Sequence, residues 1–355
     1  MPTDLLERAH DHLRRMQPRK ALRLFVAAES EGADPDLCAA GRWTCHMLAG
    51  NFHLAWRESD AIAARGRPDP HRFWDGRPLK DRRILLRCLH GLGDTIQFIR
   101  FAPLIRQQAR SLTIEAQPLM KRLLEQCQIA DEVITWGERE PAWDQQIEVM
   151  ELPRIFRVTL GSIPDLVPYL HPADTVARCS AAPHTLQVGL VWRSSSYNPE
   201  RSVPLENFAS LLNVPGASFF SLQAGVDCAE FAPWSGKIVD LYDESGCVSA
   251  TAAAIKALDL VISVDTMVAH LAGALGRPVW TLLPYECDWR WMLDRDDSPW
   301  YPTMRLFRQK RRGDWDPVLE RVRNELNDLV QAKQVSDLDP RAAPVADLKA
   351  LDLEA

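Results

Sequence analysis

The chain has 355 residues, of which 46% are hydrophobic and 25% are charged, and its formal net charge is −6 at pH 7. This length is sufficient for two or three domains with well-buried cores, and the composition is ordinary for a globular protein. The acidic balance creates no basic field over the molecule, so we do not expect nucleic acid as a partner.

The N-terminus and the cysteines indicate the compartment. The first residues, MPTDLLERAHDHLRR, are charged throughout and lack the apolar core of a signal peptide. The best candidate for a membrane span, 258–283, is interrupted by Asp259, Asp265, His270 and Arg277. Eight cysteines occur without a CxxC pair, which is typical of a reducing compartment. We therefore expect a cytoplasmic protein that does not span a membrane.

Residues 1–75 are predicted to form a short all-α module. Apolar residues recur at helical spacing in four stretches, 5–16, 20–28, 37–48 and 52–63. A shift of 34 residues aligns Ala9 with Trp43 and Leu13 with Met47, and this period belongs to tetratricopeptide repeats. Two repeats cannot bury a core alone, so the module is expected to pack on the next domain. It would serve either as a helical cap or as a platform for an acceptor protein.

The cysteines and histidines of this module do not predict a metal site. Cys38, Cys45, His46 and His53 have a spacing that matches no zinc pattern. We interpret them as helix-packing residues and expect no bound metal.

Strands and helices alternate from residue 83 onward. The first set has predicted strands at 83–88, 111–116, 132–136 and 146–150 and predicted helices at 94–108 and 118–127. The Pro-rich stretch 160–174 is expected to link it to a second set. There the predicted strands are 186–192, 218–222, 237–240, 259–264 and 278–283, and the predicted helices are 205–212, 249–257 and 266–275.

This alternation predicts an α/β protein with two parallel sheets and with sites at the carboxyl ends of the strands. The predicted lobes are two Rossmann-like units, 76–175 and 176–330, separated by a cleft. The second lobe ends in an amphipathic helix near 315–330, and the polar remainder, 331–355, is predicted to be a flexible tail.

The sequence GLGD at Gly91–Asp94 directly follows the first strand. It begins like a dinucleotide fingerprint, with Glu115 where a ribose-binding acid belongs, but Ile96 replaces the third glycine. Asp94 would also repel a pyrophosphate, so hydride transfer is disfavoured. Asp94 is a good helix N-cap residue, but a cap needs no flanking glycines. Gly91 and Gly93 favour an exposed carboxylate facing the cleft, which suits a general base.

The second lobe offers a place for a diphosphate. Ser263 ends a strand, Asp265 and Thr266 open the next helix, and His270 lies one turn further along it. Hydroxyls and free N–H groups at a helix N-terminus suit a diphosphate, although simple capping would explain them as well. The loop after strand 186–192 adds two cations, and guanidinium groups bind phosphates in a bidentate manner. These cations are Arg193 and Arg201.

Two motifs resemble glycosyltransferase family 9, the lipopolysaccharide heptosyltransferases, which have the GT-B fold. GLGD, followed by Pro103, resembles the first motif of the family, and DTMVAHLAGALGRP at 265–278 resembles its DTxxxHLAxALxxP motif. The tryptophan-rich segment between 280 and 315 departs from the heptosyltransferases and looks like the tetratricopeptide-fused bacterial branch of the family. The resemblance implies inverting sugar transfer from a nucleotide-diphosphate donor, such as an ADP-heptose, to a hydroxyl of a protein or glycolipid, without cofactor or metal.

The resemblance also implies roles for single residues. Asp94 would be the catalytic base, and Asp265, Thr266 and His270 would lie at the nucleotide-sugar site. Arg201, with Arg193 as the second choice, would take the place of the basic residue that contacts the donor phosphates in the family.

Other interpretations remain open. A nucleotide-sugar epimerase would use the same architecture without an acceptor, and a non-catalytic scaffold would have lost turnover. The tryptophans between 280 and 315 are expected to pack the edge of the lobe or to stack on a sugar or a base.

Overall fold

The computed structural model describes residues 2–69, 71–164, 166–173, 185–225 and 228–338. Four helices come first: α1 (Pro2–Arg14), α2 (Pro18–Ser30), α3 (Pro35–Leu48) and α4 (Phe52–Gly66). They confirm the four predicted helical stretches. Pro18 and Pro35 stand in the first turns of α2 and α3, where a missing N–H removes no intrahelical bond. Asp34 caps α3 by accepting hydrogen bonds from two backbone N–H groups.

The helical module packs on the rest of the chain, as expected. In α4, the indole N–H of Trp56 donates a hydrogen bond of 2.7 Å to the carbonyl of Val158. Asp60 pairs with Arg157 at 2.7 Å and with Arg154 at 3.2 Å. Such contacts supply the buried surface that a module of four short helices lacks alone.

The first sheet contains four parallel strands in the order β3-β2-β1-β4. They are β1 (Arg83–Arg87), β2 (Ser111–Ala116), β3 (Glu132–Thr135) and β4 (Gln145–Glu148). The helices of this part are α5 (Leu92–Phe98), α6 (Ala102–Arg106), α7 (Lys121–Cys127) and α8 (Leu152–Ile155). The predicted helix 94–108 is therefore split, with a 3-10 turn at Ile99–Phe101. Pro103 explains the split, because it has no N–H for a hydrogen bond to the preceding turn.

The second sheet contains six parallel strands in the order β10-β9-β8-β5-β6-β7. They are β5 (Leu186–Val191), β6 (Ala217–Ser221), β7 (Ile238–Asp240), β8 (Leu260–Val264), β9 (Val279–Leu283) and β10 (Met304–Arg308). The helices are α9 (Cys228–Phe231), α10 (Val248–Ala257), α11 (Met267–Ala274) and α12 (Asp316–Leu338). Every residue of the adjacent strands β5, β8 and β9 is buried, as expected for a parallel sheet covered on both faces.

Three features of this second part differ from the prediction. The strand β10 was not predicted, and the predicted helix 205–212 is a 3-10 helix at Leu205–Asn213. α12 continues to Leu338, so the first residues of the predicted tail are helical. The rest of that tail and the end of the predicted linker, residue 174, lie outside the described residues. The two parallel sheets and the N-terminal helices confirm the predicted fold class.

Candidate functional site

The two predicted motifs meet where the N-terminal ends of α5 and α11 come together. α5 follows β1 and α11 follows β8, so both helices begin at the carboxyl end of an internal strand. A Cβ added to Gly93 would lie 3.0 Å from Cδ2 of His270 and 3.7 Å from the Cα of Met267. The close approach of the two helices therefore depends on glycine at this position. It brings GLGD of the first part against the DTMVAH segment of the second.

The carboxylate of Asp94 accepts two hydrogen bonds, one from the start of its own helix and one from the segment between β9 and β10. It is the third residue of α5, after the N-cap Gly91, and its Oδ2 accepts a hydrogen bond of 2.9 Å from the N–H of Gly91. Its Oδ1 accepts one of 2.6 Å from Nη2 of Arg290. The side chain remains 26% exposed. Asp94 therefore has a capping role, although not at the N-cap position itself, and it also keeps access to solvent.

Arg290 is the main site residue that the sequence analysis missed. It lies in the segment between β9 and β10 and is only 7% exposed. Its Nη1 donates to Asp288 at 2.9 Å and its Nε donates to Gln97 at 2.8 Å. Burial lowers the pKa of Arg290, but the charges of Asp288, Asp94 and Asp265 outweigh this effect, so the pKa is above its ordinary value. A cation between two tryptophans, Trp289 and Trp291, was the available signal in the sequence.

Asp265 and Arg201 face each other in the part of the junction that belongs to the six-stranded sheet and its loops. Nη1 of Arg201 lies 3.7 Å from Oδ2 of Asp265, which is 4% exposed. Burial raises the pKa of Asp265 to about 6, the charge of Asp288 adds to the rise, and the charge of Arg201 opposes it. Nε of Arg201 is buried and has no hydrogen-bond partner among the described residues. A buried carboxylate that is ionised at neutral pH is costly, and such groups concentrate at functional sites.

His270 is a neutral imidazole inside the junction. Its Nδ1 lies 2.9 Å from the hydroxyl of Tyr301, and its ring stacks on that of Trp291 with centroids 5.2 Å apart. Burial lowers the pKa of His270 well below its ordinary value, and the nearby cations Arg290, Arg100 and Arg201 lower it further. At neutral pH it therefore acts through hydrogen bonding and packing and not as a charge.

The other predicted residues have different surroundings. Ser263 is fully buried, and its hydroxyl donates to the carbonyl of Val264 at 2.7 Å and lies 3.1 Å from Oγ1 of Thr266. Thr266 is the N-cap of α11 and makes no side-chain capping hydrogen bond. Arg193 pairs with Glu230 at 3.0 Å and donates to the carbonyl of Gly225. Arg193 is thus engaged elsewhere, whereas Arg201 faces Asp265.

A cavity of about 900 Å³ opens beside GLGD, between α4 and the carboxyl ends of β1 and β4. Apolar atoms form most of the surface of its wall, to which Ile62, Phe73 and Leu89 contribute. Charged side chains also line it, namely those of Arg72, Asp75, Arg87, Glu151 and Arg154. Glu148 also lines it, and burial raises the pKa of this carboxyl group. Its Oε2 accepts a hydrogen bond of 2.6 Å from the N–H of Met150, whereas the buried Oε1 has no such partner among the described residues. Nε2 of His90 lies 4.0 Å from this Oε1.

The described residues show neither the side-chain cluster of a metal site nor a membrane-spanning helix. No group of three or more His, Cys, Asp or Glu side chains in these ranges has an arrangement that could hold a metal ion. Cys38 and Cys45 are buried free thiols in α3. None of the helices described is sufficiently long and apolar to cross a membrane.

Comparison with known proteins shows the fold. No family model matches the chain. A solved glycosyltransferase of family 9 from Veillonella parvula covers 72% of this chain and 98% of its own length, with 15% identity and a TM-score of 0.52. The fold is that of glycosyltransferase family 9. ADP-heptose lipopolysaccharide heptosyltransferase II of E. coli matches less well, with 16% identity, a TM-score of 0.47 and coverage of 71% of this chain and 99% of its own.

A curated relative resembles the chain in sequence. Protein FlbA of Caulobacter vibrioides is 28% identical over an alignment of 347 residues, and the match covers 85% of this chain. The chain spans 57% of the length of FlbA. In the family 9 fold described above, the junction of α5 and α11 brings together Asp94, Arg201, Asp265, Thr266 and His270, together with Arg290.

Proposed function

We propose that the protein is an inverting glycosyltransferase. It moves a sugar from a nucleoside-diphosphate donor, of the ADP-heptose type, to a hydroxyl of a protein or glycolipid. The observation that carries this proposal is the junction itself, where a partly exposed carboxylate, Asp94, pairs with Arg290, while Arg201 faces Asp265 at the start of α11 in the other part of a family 9 fold. The cysteines without a CxxC pair support a cytoplasmic location.

The reaction is a single displacement at the anomeric carbon. Asp94 takes the proton of the acceptor hydroxyl while that oxygen attacks, and the bond between the anomeric carbon and the diphosphate oxygen breaks. The leaving diphosphate gains negative charge, which Arg201 and the first N–H groups of α11 stabilise. The uncapped start of α11 at Thr266 supports this role.

The donor half of the proposal is tested by thermal shift with ADP, UDP, GDP and CDP. At a ligand concentration of about 100 times Kd, binding adds about 2.7 kcal/mol to the free energy of unfolding, so at least one nucleotide should raise Tm by several degrees. Arg201→Gln should weaken that binding about tenfold, because it removes a charged hydrogen-bond donor. Arg295→Gln is the matched control, since Arg295 pairs with Asp297 in a separate ion pair. Failure of all four nucleotides to bind would reject the proposal.

We further infer that the acceptor enters through the cavity beside GLGD. Leu89 lines this cavity and belongs to the loop that leads from β1 to the helix of Asp94, and this continuity supports the inference. The apolar part of the wall suits the body of an acceptor, and the carboxyl group of Glu148 suits a hydroxyl or N–H group on it. Since α4 forms one wall, this site gives the helical module a part in acceptor binding.

Ile62→Glu in α4 tests the acceptor site by placing a charge in the apolar wall. Incorporation of labelled sugar from the donor into extract of the source cells should fall about tenfold or more, because a charge must then be desolvated when the acceptor binds. Nucleotide affinity should not change, and Arg57→Glu on the same helix is the control. Acid-precipitable label would indicate a protein acceptor, and lipid-extractable label a glycolipid. Unchanged incorporation by Ile62→Glu would place the acceptor elsewhere.

A further inference from the structure

Arg290 connects the two halves of the proposed site. Its Nη2 binds Asp94 at 2.6 Å, its Nη1 binds Asp288 at 2.9 Å, and its Nε binds Gln97 at 2.8 Å. Asp94 and Gln97 belong to α5, whereas Asp288 and Arg290 belong to the segment after β9. The guanidinium group lies 4.4 Å from the ring centroid of Trp289 and 5.5 Å from that of Phe98. These contacts fix a buried cation beside the proposed base.

The balance of charge around this cation indicates a second ligand for it. Three carboxylates of the junction, Asp94, Asp265 and Asp288, pair with two guanidinium groups, those of Arg201 and Arg290. Arg100, the third cation near His270, hydrogen-bonds instead to the carbonyl of Trp300 and the hydroxyl of Tyr169. A donor diphosphate adds about two further negative charges close to α11. Arg201 by itself only balances Asp265, which it faces at 3.7 Å. Arg290 is the other cation paired with these carboxylates, and the ring of the next residue, Trp291, stacks on His270 of α11 with centroids 5.2 Å apart.

We propose that Arg290 is a shared cation, which binds Asp94 as described and also binds the diphosphate of the donor. The carboxylate and the diphosphate then compete for one guanidinium group, so donor binding weakens the hold of Arg290 on Asp94 and leaves this carboxylate free to accept the acceptor proton. This inference rests on the proposed function. It makes Arg290 a ligand-binding residue that couples the donor to the base.

Competition of this kind has a reciprocal consequence for affinity. If Asp94 and the diphosphate share Arg290, removal of the Asp94 charge must tighten nucleotide binding. Loss of direct repulsion between Asp94 and the diphosphate would also tighten binding in Asp94→Asn. That tightening would persist when Arg290 is replaced. A double-mutant cycle separates the two causes.

The experiment measures, by calorimetry, the binding of the nucleoside diphosphate that gives the largest thermal shift with the unaltered protein. We expect Asp94→Asn to bind about fivefold or more tightly, and Arg290→Gln to bind about tenfold or more weakly. In the Arg290→Gln background, Asp94→Asn should change the affinity less than about twofold. Arg290→Lys retains the charge but lacks the planar guanidinium group that donates several hydrogen bonds. Its nucleotide affinity should lie between those of the unaltered protein and of Arg290→Gln.

The controls keep the outcomes distinct. Arg295→Gln removes an arginine from the same segment and should bind as the unaltered protein does, and thermal melting verifies that each variant folds. If Arg290→Gln does not fold, unchanged affinity in Asp94→Asn, or in Arg290→Lys, still overturns the inference. Tightening by Asp94→Asn that persists in the Arg290→Gln background overturns the inference alone. Absence of nucleotide binding by the unaltered protein overturns the proposed function together with it.

Discussion

Asp94→Asn is expected to lower the turnover of sugar transfer by about two to four orders of magnitude, which is the usual contribution of a general base. An amide has nearly the shape of the carboxylate, and its oxygen still accepts a hydrogen bond from Gly91 or from Arg290. It does not take a proton from the acceptor hydroxyl at neutral pH. The loss should therefore appear in kcat while the protein stays folded.

The measurement is transfer of labelled sugar under saturating donor, together with thermal melting of the variant. Asp131→Asn provides a comparison, because Asp131 is a partly exposed carboxylate in an ion pair with Arg106, away from the junction. Full turnover by Asp94→Asn would mean that the carboxylate only caps α5. Release of an epimerised sugar without any acceptor would instead support the epimerase alternative.

Trp300→Ala should reduce the free energy of unfolding by about 3–5 kcal/mol, the range for removal of a large buried aromatic side chain. Trp300 is fully buried. Its ring stacks on Phe52 of α4 with centroids 5.9 Å apart and meets Phe98 of α5 edge-on at 5.8 Å. Its indole N–H donates to the carbonyl of Arg290 at 3.1 Å. One side chain thus joins the helical module, the first part and the segment that carries Arg290.

Urea unfolding measures the loss, and hydrogen exchange locates it. We expect faster exchange in α4 and α5, because both helices lose a buried contact, and weaker nucleotide binding, because Arg290 loses its support. Trp136→Ala is the matched control, since Trp136 is 44% exposed and should contribute far less. A loss of less than about 1 kcal/mol for Trp300→Ala would show that neighbouring side chains fill the space.

The strand and helix positions were largely predictable from the sequence. β5, β8 and β9 are mainly apolar, with one polar residue each, and short apolar segments of this kind are consistent with buried parallel strands. β10 escaped prediction because its sequence, MRLFR, carries arginines at Arg305 and Arg308 and becomes a strand only by pairing with β9. The 3-10 helix at Leu205–Asn213 has the amphipathic pattern of an α-helix, so periodicity alone does not separate the two.

Three features follow from the sequence alone: the alternation of strands and helices, the place of Asp94 at the start of one helix, and the place of Asp265, Thr266 and His270 at the start of another. These are local properties, because hydrophobic spacing and turn residues act over a few positions along the chain. Only the tertiary structure decided the partners. Arg290 is 196 positions from Asp94 and binds it at 2.6 Å. The resemblance favoured Arg201 over Arg193 but showed the partner of neither, and in the structure Arg193 binds Glu230 whereas Arg201 faces Asp265. The reason is that charge pairing and desolvation depend on distance in space, which the packing of α5 against α11 sets.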